Sequence, residues 1–92
     1  ELEVPNVFTP NGDGTNDEFC VAFKSLVKFN MWVYNRWGRE VFSSNNADNC
    51  WDGYIGNAKA ASGAYFYVIE ATGADGKKYK KSGDINLIRG EE

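Results

Sequence analysis

A chain of 92 residues with a net charge of −3 and a pI near 4.9 is one small acidic domain, without the basic stripe that phosphate binding needs. It contains no histidine, which removes the commonest general base, proton shuttle and zinc ligand. With 42% hydrophobic and 15% aromatic residues it is too rich in core-forming side chains for disorder, and the aromatic share favours β structure.

Glu3 to Phe8 reads as a first short strand, with Pro5 marking an edge or a strand start. The run Asn11-Gly12-Asp13-Gly14-Thr15-Asn16-Asp17 then forms a tight polar loop. Asn and Asp side chains bond nearby backbone amides there, and each Gly frees the chain to turn. Glu18 to Phe23 alternates, placing Phe19, Val21 and Phe23 on one face and Cys20 and Ala22 on the other. Val27 to Tyr34 is the clearest strand. Val27, Phe29, Met31 and Val33 share one face, and Lys28, Asn30, Trp32 and Tyr34 share the other, whereas a helix would scatter the first four around its circumference.

Asn35-Arg36-Trp37-Gly38 turns the chain into a hairpin whose second strand is Glu40 to Ser43. Ser43 to Asn49 is polar loop, and Trp51-Asp52-Gly53 is a turn with a bulky anchor. Asn57 to Ser62 is small and at best weakly helical. Gly63 to Thr72 is an almost unbroken apolar strand, expected to be covered on both faces. Ala74-Asp75-Gly76 turns it into Lys77 to Lys81, and Asp84 to Arg89 makes the last strand. About seven short strands with regular turn signals predict an all-β domain, a single antiparallel β-sandwich of immunoglobulin-like architecture.

Four constellations bear on function. Asn11, Asp13, Thr15 and Asp17 offer oxygen at every second position, the spacing of calcium loops, although the full EF-hand order and its bidentate Glu are missing; calcium and a self-capped Asx loop both stay open. Cys20 and Cys50 are too few for a structural zinc site; they read either as a disulfide closing a loop of about 30 residues, for roughly 3–4 kcal/mol, or as two buried thiols. Carboxylate pairs such as Asp13 with Asp17 or Asp52 lack a histidine or an activated cysteine beside them, so the chain is expected not to be an enzyme. Trp32, Tyr34, Trp37 and Trp51 can form a recognition surface, while Trp37 and Trp51 read first as plugs at the ends of the sandwich. Lys77, Lys78, Lys80 and Lys81 read as a solvated strand face that blunts a sheet edge.

No apolar run approaches the ~20 residues that span a bilayer. The chain opens on Glu, so it is expected to be a piece of a longer protein, with any targeting signal out of view.

In order, VPNVFTPNGDGTNDEF (4–19), VYNRWGREVF (33–42), WDG (51–53), GAYFYVI (63–69) and GDINLIR (83–89) resemble the gliding-motility-associated C-terminal domain. This is the type B sorting domain of cargo of the type IX secretion system in Bacteroidota. The resemblance runs from Val4 to Arg89. It places the sorting motif on Pro5, Phe8, Thr9, Pro10, Asn11, Gly12, Asp13, Gly14, Asn16, Asp17 and Phe19, then on Asn35, Arg36, Trp37 and Gly38. Trp51, Asp52, Gly53, Gly63 and Tyr65 follow, and Gly83, Leu87, Ile88 and Arg89 end it. Cys20 and Cys50 and the extension Gly90-Glu91-Glu92 depart from the pattern.

The resemblance implies that residues 1–92 are a single C-terminal sorting domain of a larger secreted protein, without a cofactor unless calcium is one. Its implied role is a non-catalytic signal taking a passenger through the periplasm and the outer-membrane translocon to the cell surface, with a cognate outer-membrane accessory protein as a further partner. The Asn11–Asp17 loop and the strand Asp84 to Arg89 are the expected recognition surfaces. The alternative is a calcium-stabilised adhesin module that itself binds glycan or protein.

Overall fold

A computed structural model describes residues 2–10, 17–23, 26–46 and 48–88. Among them the fold is all-β, with strands β1 (Leu2–Glu3), β2 (Val7–Phe8), β3 (Ala22–Phe23), β4 (Leu26–Tyr34), β5 (Glu40–Ser44), β6 (Tyr54–Ile55), β7 (Ala58–Lys59), β8 (Gly63–Gly73) and β9 (Lys78–Leu87). Five of these form the main sheet in the order β2-β9-β8-β4-β5, and β1-β3 and β6-β7 are separate two-stranded ladders.

The architecture is sandwich-like. Phe29, Met31 and Val33 of β4, Tyr65, Tyr67, Ile69 and Ala71 of β8, and Ile85 and Leu87 of β9 line one face of the sheet. Phe8 joins them from β2, and Phe19, Val21, Trp51 and Ala60 close the core from the covering segments. Period-two alternation forces this arrangement, since every second side chain of a strand must share a face.

Several elements differ from the sequence reading, each for a local reason. Within the main sheet one pairing is parallel: Val7 and Phe8 lie beside Asn86 and Leu87. The expected strand from Glu3 to Phe8 divides at Pro5. Its first half pairs with β3 and its second with β9, and a residue without an N–H suits the crossing between two ladders. Val27 leaves the core face and is 64% exposed, because the β4–β8 register shifts between Leu26 and Lys28 and leaves it as an extra residue.

β8 is covered on one face only. Phe66 on the other face is 43% exposed, beside half-buried Val68, so the near-continuous apolar run does not mark two-sided burial. The weakly helical reading of Asn57 to Ser62 gives way to the β6–β7 hairpin, which pairs Tyr54 with Lys59 and Ile55 with Ala58.

The two expected C-terminal strands are one. β9 runs unbroken through Gly83 and pairs with β8 from Gly63↔Leu87 to Thr72↔Lys78. Gly83 is needed for close packing here: a Cβ at this position would stand 3.0 Å from the Tyr67 hydroxyl and 3.3 Å from its ring.

Candidate recognition surface

Trp51 is the hub of the motif residues and is fully buried, 0% exposed. Its ring meets Phe8 at 5.4 Å, Tyr65 at 5.1 Å and Phe42 at 6.3 Å between centroids, within the range of favourable aromatic pairs. The indole N–H donates to the Tyr54 carbonyl at 3.0 Å, so the one polar atom of this buried ring is satisfied. Phe19 bridges the Trp51 backbone in both directions: the Phe19 N–H donates to the Trp51 carbonyl at 2.7 Å and the Trp51 N–H to that of Phe19 at 3.2 Å. Asp52 turns its carboxylate to the Tyr54 N–H at 3.0 Å, which holds the Trp51-Asp52-Gly53 corner.

Directly beside that bridge, Cys20 and Cys50 form a disulfide with their Cα atoms 4.8 Å apart. Glu18 lies next to both sulfurs. Metal ligation requires thiolates, and both sulfurs are committed to the bond, so the trio is not a metal site.

A large share of the motif is therefore a folding signature. Phe8, Phe19, Trp51, Tyr65 and Leu87 are core, and their value lies in shape. Part of what the motif presents outward gathers at one end of the sheet. β4 ends there at Tyr34, β5 and β8 begin there, and β9 and the parallel β2 finish there, as the pairs Tyr34↔Phe66, Gly63↔Leu87 and Phe8↔Leu87 fix. Thr9 and Pro10, the Asn35–Gly38 turn, Gly63, Leu87 and Ile88 thus share one end.

The opening and closing motifs are also tied together by hydrogen bonds. The Asn86 N–H donates to the Asn6 carbonyl at 2.9 Å, and the Ile88 N–H to that of Phe8 at 3.0 Å. Ile88 itself is exposed. Asn11, Gly12, Asp13, Gly14, Thr15 and Asn16, and with them most of the calcium reading, lie outside the described residues, as does Arg89; Asp17 is half-buried.

At the same end, Asn35 builds its turn unaided. Its side-chain carbonyl accepts the N–H groups of Trp37 at 2.9 Å and Arg39 at 3.0 Å, and its backbone carbonyl accepts the Gly38 N–H at 2.9 Å. Gly38 completes the turn at φ 81°, a conformation that disfavours any side chain. So closed, the turn stands off the sheet end, and Trp37 is 77% exposed. The reading of Trp37 as a plug is therefore corrected, while Trp51 is buried in the core. Trp37 instead carries the Arg36 guanidinium 4.5 Å from its ring centroid, a cation–π pair that presents a flat apolar surface with a charge on it. Trp32 and Tyr34 are half-buried on the outer sheet face, directly opposite Val68 and Phe66.

Burial, helped by the Asp84 carboxylate, raises the Tyr67 phenol above its ordinary 10.0. The signal that sequence reasoning missed was the alternation inside GAYFYVI, which sends Tyr65, Tyr67 and Ile69 inward and Phe66 and Val68 outward.

No curated protein matches the chain. Among solved structures, CopC from Methylosinus trichosporium OB3b superposes with a TM-score of 0.65 at 12% identity, over 100% of this chain and 93% of that one, a likeness of fold. The family model for the CHU_C type IX secretion signal domain matches residues 2–87. The chain belongs to the type IX secretion signal domain family.

Proposed function

We propose that this domain is a non-catalytic C-terminal sorting label that directs its passenger through the type IX outer-membrane translocon to the cell surface. The observation that carries the reading is the family match over residues 2–87. Membership implies export, contact with the secretion machinery, and a surface or extracellular location. The folded domain, rather than a linear peptide, is what is read. The recognition face is the sheet end where Thr9 and Pro10, the Arg36–Trp37 turn and Ile88 come together, and the outer-membrane accessory protein meets it there.

The Cys20–Cys50 disulfide suits this route, since such bonds persist in the periplasm and outside the cell. Removing the segment from Ile85 to Arg89 is a poor test, because Ile85 and Leu87 are core residues and their loss would unfold the domain. The informative experiment fuses residues 1–92, behind a signal peptide, to a fluorescent reporter in a gliding bacterium that carries the cognate accessory protein. Surface-exposed or released reporter is the expected result. Reporter held in the periplasm beside a folded domain would overturn the reading.

A further inference from the structure

Among the described residues, β9 has a long unpaired edge. Its inner side pairs with β8 along its whole length, but on the other side β2 covers only Asn86 and Leu87, and no described residue pairs with the stretch Lys78–Ile85. The direction of the unused groups follows from the two observed bonds. Asn86 and Ile88 send their N–H groups toward β2, that direction alternates along a strand, and the β8–β9 register runs without a shift. Lys78, Lys80, Ser82 and Asp84 therefore aim both N–H and C=O into the lane that continues β2, which no described residue fills. Seven residues at about 3.3 Å each leave room for a strand of roughly seven residues.

The chemistry beside the lane is mostly basic, with Asp84 the one carboxylate on the strand itself. Lys77, Lys78, Lys80 and Lys81 flank it in a protein whose net charge is −3. One of them, Lys80, meets an exposed Glu70 carboxylate at 3.8 Å. On the outer face a trough of about 390 Å³ brings Lys28 close to Lys78 and Lys80. On the inner face the lane borders half-buried Tyr79 and the Tyr67 ring lying over Gly83. A second copy of the domain suits the edge less well than an acidic strand: a parallel pairing of two such edges sets lysine against lysine, and the antiparallel pairing matches Lys78 with Asp84 but leaves Lys80 facing Ser82.

We propose that the Lys78–Asp84 edge accepts an extended strand from a partner protein, with acidic residues along its outer face and apolar residues along its inner one. The added main-chain bonds hold the strand, and the lysines select its charge. The edge geometry stands without the sorting reading; only the biological occasion for the pairing rests on it.

The test uses the isotope-labelled 92-residue chain and a capped seven-residue peptide of alternating glutamate and valine at about 1 mM. The expected result is at least a tenfold slowing of amide exchange at Lys78, Lys80, Ser82 and Asp84, with Tyr79, Lys81 and Gly83 unchanged because they already bond β8. The lysine–valine counterpart should bind at least about tenfold more weakly.

Ser82→Pro removes a donor that faces the lane, a position where an edge strand tolerates proline, and should abolish the slowing. Should that variant fail to fold, Lys78→Glu with Lys80→Glu keeps every backbone group and should reverse the preference between the two peptides. Unchanged exchange at the four alternating amides, or equal binding of both peptides, overturns the inference. A domain exported normally while its edge ignores the peptide rejects the edge proposal alone; one that binds the peptide yet stays in the periplasm rejects the sorting reading alone.

Discussion

Replacing Cys20 and Cys50 together with serine, C20S/C50S, tests how the covering segments are held on the sheet. The bond spans a sequence separation of 30 and sits beside the Phe19–Trp51 bridge. The chain-entropy relation gives about 3.7 kcal/mol for a loop of that size. A domain of this length has a total stability of roughly 5–14 kcal/mol, so the bond supplies a quarter or more of it. With an unfolding entropy near 2 cal/mol/K per residue, the melting temperature should fall by roughly 20 °C.

The two backbone bonds of the bridge and the Trp51 ring contacts remain in the double variant, so it should still fold at low temperature. The assay is thermal unfolding followed by near-ultraviolet circular dichroism, with the parent protein melted in parallel with and without a thiol reductant. Reduced parent and double variant should melt alike, both well below the oxidised parent. A drop under about 5 °C, or a reduced parent that melts like the oxidised one, would refute the account of the bond as the clamp on this layer.

Trp51→Ala should cost about 3–5 kcal/mol, since it empties the space between Phe8, Phe42 and Tyr65; chemical denaturation that shows less than 1 kcal/mol would remove Trp51 from the centre of the core. Gly83→Ala should cost roughly 1–3 kcal/mol by pressing a methyl group against the Tyr67 hydroxyl at 3.0 Å. Tyr67→Phe in the same chain should recover part of that loss, and strictly additive costs would contradict the contact. The raised Tyr67 phenol, shifted by burial and then by Asp84, means that the folded state resists ionisation. Stability should therefore be intact below pH 10.0 and decline as pH rises from there through the folded value. Spectrophotometric titration should show the Tyr67 phenol ionising late, and Asp84→Asn should bring it part of the way back.

Much of this fold was legible from periodicity. The β4 alternation from Phe29 to Val33, the Asn35–Gly38 hairpin and the length of β8 follow from side-chain period and turn chemistry acting locally. What escaped was non-local. Nothing near Val7 announces a parallel pairing with Asn86, 80 positions after Asn6. The gap left at Ser82-Gly83 between two expected strands closes only once Tyr67 is seen lying across Gly83. Tryptophans are usually covered, which makes Trp37 read as a plug, yet the turn that Asn35 and Gly38 close by themselves needs no anchor and leaves the ring outside.

The motif behaved in two ways for the same reason. Phe8, Phe19, Trp51 and Leu87 carry the fold, whereas Arg36, Trp37 and Ile88 are exposed. Only the three-dimensional arrangement separates the two groups.

The most direct test of the central claim compares one reporter fused to residues 1–92, behind a signal peptide, in two hosts that differ only in a working type IX translocon. The account predicts reporter accessible to external protease in the first host and confined to the periplasm in the second. Equal surface exposure in both hosts, or periplasmic retention in both with the accessory protein present and the domain folded, would contradict it.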